Sequence, residues 1–317
     1  MNQGVFLDRA SVDIGDLDLG PLESTLDHWV WYDQTGPAEI AERIAGAQVL
    51  VCNKVPLRTD ILRAAKGLRL ICVTATGTNN IDLETARQCG ITVCNVRGYA
   101  TPSVVQHVFS LVLALTTRLL DYTNAVRNGK WQKSTQFCLL DYPITELEGK
   151  TLGIIGYGEL GQAVAKVGVA FGMRILVAQS STGHSDNARV PLDTLLQQSD
   201  VVSLHCPLTE QTRGLIGERE LARMKPNALL INTARGGIVD ETAIVSALRH
   251  GVIGGAGFDV LSIEPPPSGH PLLAGDIPNL IVTPHTAWAS RESRQRLLNE
   301  VGENVRDFFS GRPRNAV

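Results

Sequence analysis

Short apolar runs and helical repeats alternate along the whole of this chain. Buried strands are indicated at 48–52, 68–73 and 91–94, where valine, leucine, isoleucine and cysteine predominate. The stretches 59–65 and 82–89, which lie between them, are typical of helices. Buried strands that alternate with helices form parallel sheets, because each crossover returns the chain to the same edge. The first third of the chain therefore predicts an α/β domain.

A long helix is predicted from Thr101-Pro102, since threonine is a good N-cap and proline suits the first helical position. The longest apolar stretch, 104–120, follows directly and contains polar and charged residues, so it predicts a core helix and not a membrane span. Residues 121–148 are more polar. We interpret them as an extended connection that serves as a partner-binding arm.

A second α/β series begins near residue 151. Six short apolar runs with helical crossovers predict a complete doubly wound sheet. The helix predicted at 291–310 is expected to return to the first domain and make it discontinuous. We therefore expect residues 1–100 and 287–317 to form a substrate domain and 101–286 a dinucleotide-binding domain. The six predicted strands are Leu152–Ile155, Ile175–Ala178, Val201–Leu204, Ala228–Asn232, Gly254–Phe258 and Leu280–Thr283.

The motif Gly156-Tyr157-Gly158-Glu159-Leu160-Gly161 follows the first of these strands and opens a helix. The first glycine permits a tight turn, the second lets the backbone approach a pyrophosphate, and the third lets helix and strand pack closely. Free N–H groups at the helix start face the phosphate charge. A lone G-x-G-x-x-G is weak evidence because glycines also mark ordinary turns. Here the flanking strand, helix and second strand match, so the motif predicts a dinucleotide site.

The composition narrows the function further. The chain has 317 residues, 44% of them hydrophobic and 19% charged, with a net charge of −3, which is typical of a globular protein of about two domains. The two signs are interspersed, so no basic surface indicates nucleic acid or membrane as a partner. The N-terminus lacks signal-peptide features. The six cysteines form no C-x-x-C pair, no His and Cys cluster has metal spacing, and a reducing, cytoplasmic location is expected.

Three polar residues follow successive strands of the second series, where a doubly wound sheet binds its ligands. Arg235 could hold a carboxylate through two hydrogen bonds or form a surface ion pair. Glu264 precedes three prolines that stiffen its loop, and His285 follows Pro284. In a dehydrogenase the cofactor supplies hydride, a positioned acid protonates the carbonyl oxygen, and a carboxylate and an arginine support these steps. Each residue could be structural alone, but the set predicts this chemistry.

Four stretches then resemble the D-isomer-specific 2-hydroxyacid dehydrogenase family, and the resemblance covers nearly the whole chain. It implies a Rossmann-type doubly wound parallel sheet plus a second, flavodoxin-like α/β substrate domain. It also implies that Arg235 binds and polarises substrate, that His285 donates or accepts the proton, and that Glu264 supports it. The stretches are Leu204-His205-Cys206-Pro207-Leu208-Thr209, Asn232-Thr233-Ala234-Arg235-Gly236-Gly237, Asp259 to Pro266 and Thr283-Pro284-His285.

The same resemblance implies further contacts. Residues 74–80 are similar to the family loop whose backbone N–H groups hold the substrate carboxylate. Within the family, residues 76–79 together with 99–107 look closest to the glycerate dehydrogenase (hydroxypyruvate reductase) branch. Asp259 is interpreted as a contact near the nicotinamide, with a structural strand-end acid as the alternative. The implied substrate contacts are Thr76, Gly77, Tyr99, Arg235 and Trp288. The implied cofactor contacts are Gly156, Gly158, Glu159, Leu160, Gly161, Gln179, Ser180, Cys206, Pro207, Thr212, Thr233, Ala234 and Asp259.

One departure concerns the adenine ribose. Where the family usually has an acid, this chain has Gln179, followed by Ser180 and Ser181. Without that carboxylate, NAD loses a hydroxyl partner and a 2′-phosphate is no longer repelled. The nearest cationic candidates are His184 and Arg189. We expect NAD(P) to be the cofactor, with NADP(H) slightly favoured over NAD(H).

The predicted reaction is reduction of a small 2-keto acid, hydroxypyruvate or glyoxylate, to the D-2-hydroxy acid. Another enzyme of the family, such as a phosphoglycerate dehydrogenase, remains an alternative, although extra basic groups for a phosphate are not evident. A formate dehydrogenase is disfavoured, because those enzymes carry glutamine where Glu264 stands. A non-enzymatic, dinucleotide-sensing corepressor is the alternative from another class. A homodimer is predicted, formed through the arm at 121–148 with its Trp131, Phe137, Tyr142 and Leu147.

Overall fold

The computed structural model describes residues 2–180 and 188–317. The chain divides into two compact units, one formed by Met1–Ala100 with Trp288–Val317 and the other by Thr101–Ala287. Each unit has its own parallel sheet and its own hydrophobic core. The predicted α/β fold class is therefore confirmed.

The first unit contains five parallel strands in the order β2-β1-β3-β4-β5, which is the flavodoxin-like order. Every residue of β3 and β4 is buried, which explains their uninterrupted apolar sequences. The pattern did not predict β1 and β2; β2 lies at the sheet edge and its residues are only partly buried or exposed. The strands are β1 Gln3–Phe6, β2 His28–Trp31, β3 Val49–Cys52, β4 Leu70–Val73 and β5 Thr92–Cys94.

Helices cover both faces of this sheet. One face packs its buried apolar side chains with residues of α2, α3 and α4, and the other packs with one side of α11. The long α11 thus belongs to the first unit, although it follows the last strand of the second. The helices of this unit are α1 Gly20–Glu23, α2 Ile40–Arg43, α3 Thr59–Ala64, α4 Leu83–Gln88 and α11 Arg291–Phe309.

The second unit contains six parallel strands in the order β11-β10-β9-β8-β6-β7. Val190 adds one parallel bridge to Ala178, just beyond the end of β7. When that bridge is counted as a minimal third strand and the strands of this unit are renumbered from β6 as 1, their order is 3-2-1-4-5-6-7. This is the Rossmann order 3-2-1-4-5-6 with one more strand. All six predicted strands are confirmed. They are β6 Thr151–Ile155, β7 Arg174–Val177, β8 Val201–Leu204, β9 Leu229–Asn232, β10 Gly255–Phe258 and β11 Leu280–Val282.

Helix α5 lies against β9, β10 and α7, and eight of its residues are buried. The structure thus confirms a core helix at the longest apolar stretch. No single helix among residues 2–180 and 188–317 is long and apolar enough to cross a membrane, although α5 and α6, bent by 60°, pass that test together on length and composition. The helices of this unit are α5 Thr101–Thr116, α6 Leu119–Arg127, α7 Glu159–Ala170, α8 Leu192–Gln198, α9 Glu218–Leu221 and α10 Glu241–Arg249.

The extended connection predicted at 121–148 is wrong in its first part, which is helical. Helix α6 forms because Ala125 is buried and Tyr122 packs edge-on against Tyr142, with ring centroids 5.2 Å apart. The Tyr122 hydroxyl also donates to the Tyr142 carbonyl at 2.7 Å. Leu147, expected outside a core, is buried. The remaining arm exposes several large apolar side chains, and Phe137 is 89% accessible.

Candidate active site

The glycine motif joins β6 to α7, and its three glycines meet different geometric demands. Gly156 has a φ of +94°, and a Cβ there would lie 2.4 Å from the amide nitrogen of Cys206. A Cβ on Gly161 would lie 2.2 Å from the carbonyl oxygen of Gly156. Gly158 is the N-cap of α7, and nothing lies within 4 Å of where its Cβ would be. Two glycines therefore fix the turn, and the middle one leaves open space beside the helix start.

That open space faces the first N–H groups of α7, which have no acceptors inside the helix. Glu159 and Leu160, predicted as cofactor contacts, supply two of these amides. The Glu159 carboxylate accepts a hydrogen bond from the Thr101 hydroxyl at the start of α5. The positive end of the α7 dipole favours an anion at this place.

Gln179 and Ser180 follow β7, and Gln179 is exposed. The amide of Gln179 donates to the carbonyl of Val190 at 2.9 Å, which brings the neighbouring Arg189 to the same end of the sheet. The Arg189 guanidinium lies over the Tyr157 ring, 5.9 Å from its centroid. Arg189 is thus adjacent to the glycine turn as well as to Gln179. The residues Ser181 and His184, also considered for the ribose, lie outside the described part of the chain.

The segment after β8 packs against the glycine turn. Thr212 is buried, and its hydroxyl donates to the Pro207 carbonyl at 2.6 Å, which closes the loop that starts at Cys206. Burial raises the pKa of the Cys206 thiol and lowers the pKa of His205 to about 4. His205 Nε2 lies 2.8 Å from Ser203 Oγ, while Nδ1 has no hydrogen-bond partner among the described residues.

Arg235 lies at the end of β9 in a loop that is organised by Asn232. The Asn232 side-chain amide donates to the Arg235 carbonyl at 2.9 Å, and its oxygen accepts from the Ala234 amide at 3.1 Å. The guanidinium is held by one hydrogen bond to the Ala234 carbonyl, at 2.7 Å, and Arg235 is exposed. The Thr233 hydroxyl is buried and has no partner among the described residues. Gly236 lies against the next loop, because a Cβ there would be 1.9 Å from the Leu261 carbonyl oxygen.

Glu264 and His285 form the closest charged contact of the site. His285 Nδ1 lies 2.6 Å from one Glu264 carboxylate oxygen, and the other oxygen accepts from the Leu261 amide at 2.8 Å. About a third of each side chain remains accessible, 34% for Glu264 and 31% for His285. The carboxylate therefore fixes the ring through Nδ1, which leaves Nε2 as the nitrogen that can exchange a proton with a substrate.

Asp259 anchors the loop that carries His285. It is 1% accessible, and its carboxylate accepts from the amides of Thr286 and Ala287, both at 2.9 Å, and from the Thr283 hydroxyl at 2.6 Å. Its carbonyl accepts from the His285 amide at 2.8 Å. These contacts support a left-handed His285 with a φ of +54°, which is unfavourable for a non-glycine residue. A structural role for Asp259 is therefore present, and its predicted contact with the nicotinamide stays a prediction.

The predicted substrate residues of the first unit fall into two local groups. The Thr76 hydroxyl donates to the Val96 carbonyl at 2.8 Å, and the side-chain amide of Asn95 donates to the Thr76 carbonyl at 2.7 Å. These bonds hold the loop that contains Gly77 after β4. Tyr99 and Trp288 pack edge to face, with ring centroids 6.4 Å apart. Tyr99 and Trp288 are therefore in contact, although in sequence Tyr99 precedes the second unit and Trp288 follows it.

Sequence reasoning assigned no role to Asn232, to Thr283 or to His107 of α5. An asparagine that ends a buried strand and precedes small residues is a signal that could have identified Asn232, because its side chain can bond to its own loop. The role of His107 depends on a contact with Thr283, which is distant in sequence. No local pattern identifies such a contact.

The residues present fit a dinucleotide. The turn at Gly156 and Gly158 leaves room for a pyrophosphate at the helix start, and the Thr233 hydroxyl after β9 is a buried polar group with no partner among the described residues. No group of three or more His, Cys, Asp or Glu residues with metal-binding geometry occurs in the described ranges. A Rossmann sheet, an accessible histidine paired with a carboxylate and an arginine at adjacent strand ends define an oxidoreductase of the dinucleotide-dependent class.

Comparisons with known proteins identify the family. The model of the D-isomer specific 2-hydroxyacid dehydrogenase, NAD binding domain, matches residues 109–287. The chain is 49% identical to the glycerate dehydrogenase of Methylorubrum extorquens over 99% of this chain and 98% of that protein. It is 38% identical to the hydroxypyruvate reductase of Blautia hydrogenotrophica over 99% and 98%. A solved structure of an acyclic imino acid reductase, Bsp5, in complex with NADPH and D-Arg superimposes with a TM-score of 0.86, at 27% identity and 99% coverage of both chains.

The chain therefore belongs to the D-isomer specific 2-hydroxyacid dehydrogenase family. The predicted family, the enzyme class and the use of a nicotinamide dinucleotide are confirmed. The alternative of a protein outside the enzyme class is thereby disfavoured.

Proposed function

We propose that this enzyme reduces hydroxypyruvate, and also glyoxylate, to the corresponding 2-hydroxy acid, with D-glycerate as the product from hydroxypyruvate. The observation that carries the proposal is the 2.6 Å contact between His285 and Glu264. These two residues lie past the carboxyl ends of parallel strands, as do Arg235 and the glycine turn. The names of the similar proteins, a glycerate dehydrogenase and a hydroxypyruvate reductase, support this substrate class.

A nicotinamide dinucleotide held at the glycine turn would supply the hydride for the carbonyl carbon. When the new C–H bond forms, the C=O π pair moves onto the carbonyl oxygen, and the N–H at Nε2 of protonated His285 donates its proton to that oxygen. Glu264 holds the opposite nitrogen, so the ring cannot turn away and its positive charge is compensated before transfer. His285 then returns to the charged form by taking a proton from solvent.

Arg235 would bind the substrate carboxylate and polarise the carbonyl. Its guanidinium has five N–H groups, and the bond to the Ala234 carbonyl leaves donors for a planar carboxylate. Asn232 fixes the backbone on both sides of Ala234, which orients the arginine without contacting its charged end. In the first unit, the backbone amides around Thr76 and Gly77 would bind the carboxylate, and Tyr99 and Trp288 would enclose the small side chain of the substrate.

We further propose that the enzyme uses both dinucleotides and prefers NADPH by a modest factor. Gln179 is neutral and exposed, so it can bond to a ribose hydroxyl or accommodate a phosphate. Arg189 is held at the same sheet end through Val190 and Tyr157, and it supplies the positive charge that the residues immediately after Gln179 lack. Measurement of kcat/KM for NADPH and NADH with hydroxypyruvate tests this. Strong selectivity for NADH would contradict it.

A homodimer is also proposed, formed through the arm after α6. The arm presents a series of exposed apolar side chains, which is unusual for a surface that faces only water. A second copy is the favoured occupant because two-fold pairing buries the same patch on both subunits. Light scattering should give twice the mass of one chain, and Phe137→Glu should give the monomer. A monomeric wild type at micromolar concentration would contradict the proposal. The exposed side chains of the arm are Trp131, Phe137, Leu140 and Ile144, and the preceding α6 adds Leu119, Leu120 and Val126.

The reaction itself is tested with the purified enzyme and a panel of 2-keto acids. Oxidation of NADPH or NADH is followed with hydroxypyruvate, glyoxylate, pyruvate and phosphohydroxypyruvate. We expect the highest kcat/KM with hydroxypyruvate, and the D-configured product should be identified by chiral chromatography. Preference for phosphohydroxypyruvate would identify a phosphoglycerate enzyme. Absence of turnover with the whole panel and both cofactors would reject the proposed function.

A further inference from the structure

Two residues of α5, Ser103 and His107, contact both ends of the loop that carries His285. The Ser103 hydroxyl donates to the Ala287 carbonyl at 2.6 Å. One helical turn further on, His107 Nε2 lies 2.9 Å from Thr283 Oγ1 and 3.4 Å from a carboxylate oxygen of Asp259.

The hydrogen-bond geometry fixes the direction of the proton in this contact. Thr283 has one hydroxyl proton, and that proton bonds to the Asp259 carboxylate at 2.6 Å. The hydroxyl oxygen can then only accept from His107, so Nε2 of His107 carries the hydrogen. The resulting chain of donors runs from His107 through Thr283 to Asp259.

This chain ends on a carboxylate that is almost wholly buried. A buried charge is stable only when its oxygens are fully hydrogen-bonded. The other donors to Asp259 are the amides of Thr286 and Ala287, on the far side of His285 from Thr283. Loss of the His107 contact therefore weakens one of the three hydrogen bonds to the Asp259 carboxylate, which help to hold the histidine loop in its left-handed conformation.

We propose that His107 is a positioning residue for the proton transfer, acting on His285 through Thr283 and Asp259. The hydrogen bond and ion pair of His107 go to Thr283 and Asp259, and neither goes to His285 or to the glycine turn. The inference rests on the proposed role of His285 as proton donor. A displacement of a reacting group by ~1 Å can lower turnover by about 10²-fold, so a modest loosening of this loop has a measurable effect.

The first test compares His107→Ala with Gln106→Ala, an exposed neighbour on the same helix. We expect kcat for hydroxypyruvate to fall by roughly 10-fold in His107→Ala, within the range that misplacement produces. Cofactor affinity, measured by fluorescence titration, should stay within about 3-fold, because the glycine turn is untouched. His107→Gln, which keeps an N–H donor, should restore most of kcat, and Gln106→Ala should match the wild type. An unchanged kcat in His107→Ala would overturn the proposal.

The second test asks whether His107 acts through His285. In the His285→Ala background, adding His107→Ala should lower kcat no further, because the effects of residues that work as one unit do not multiply. Multiplying effects would overturn the proposal while leaving the role of His285 intact. Full activity of His285→Ala alone would instead reject the proposed role of His285 as proton donor. If His107→Ala does not fold, Thr283→Val removes the middle of the donor chain and is subject to the same two criteria.

Discussion

Protonation of His205 should make the stability of the second unit depend on pH. Burial lowers the pKa of this imidazole from 6.5 to about 4. The folded form therefore holds the ring neutral, whereas the unfolded chain takes up a proton near pH 6.5. The stability contribution is complete above pH 6.5, is lost as the pH falls toward 4, and changes no further below that.

The size of this effect follows from the shift. A difference of 6.5 against about 4 corresponds to up to about 3 kcal/mol, at 1.36 kcal/mol for each pKa unit. It is an upper limit because the ring keeps some contact with solvent, although Nδ1 itself has no exposed surface. Between pH 6 and pH 4.5 the slope contributed by His205 should approach about 1.4 kcal/mol per pH unit.

Urea unfolding at pH 7.0, 6.0, 5.0 and 4.5 measures this slope. The informative variant is His205→Gln, which can keep the contact with Ser203 but cannot titrate in this range. The wild type should lose more stability than this variant on acidification, and His250→Gln, which changes an exposed histidine, should match the wild type. The ring carbon resonance of His205 should also indicate the neutral form down to about pH 5. Equal pH slopes for the wild type and His205→Gln would refute the reasoning.

Three further predictions concern the reaction and the cofactor. His285→Ala should lower kcat by roughly 10²–10⁴-fold with little change in cofactor affinity, and near-normal turnover would mean that another group protonates the carbonyl oxygen. Gln179→Asp should shift the ratio of kcat/KM values toward NADH, because the new carboxylate would repel a 2′-phosphate; an unchanged ratio would show that Gln179 does not read the ribose. Gly161→Ala should abolish cofactor binding or folding, since its Cβ would lie 2.2 Å from the Gly156 carbonyl oxygen, whereas Gly158→Ala should fold normally and bind the dinucleotide more weakly; calorimetry and circular dichroism separate the two.

The sheets could largely be predicted because buried parallel strands leave an uninterrupted apolar sequence. Val49–Cys52 and Val201–Leu204 are wholly buried and stand out for that reason. His28–Trp31 did not stand out as a strand, because this edge strand contains a histidine and two tryptophans and is only partly buried. Helix α6 was missed because it is short and buries only Ala125, and it is stabilised by Tyr142, which lies 20 residues beyond Tyr122.

The candidate site shows the same division between local and distant information. Arg235, Glu264 and His285 could be proposed because each follows a strand whose carboxyl end borders the ligand crevice. The support of these residues could not be predicted. His107 and Thr283 are 176 residues apart in sequence, and Asp259 reaches Ala287 across 28 residues. Contacts of this kind exist only after the strands have been arranged in their sheet order.

The close approach of Gly236 to Leu261 has a consequence for engineering. With 1.9 Å between the Leu261 carbonyl oxygen and the place of a Cβ, no larger residue fits at position 236 without displacing the backbone that leads to Glu264. The loop that contains Arg235 and the loop that leads to Glu264 therefore have to be redesigned together, because a change in one displaces the other. Attempts to broaden the range of accepted acids should instead diversify residues 76–79 and Trp288.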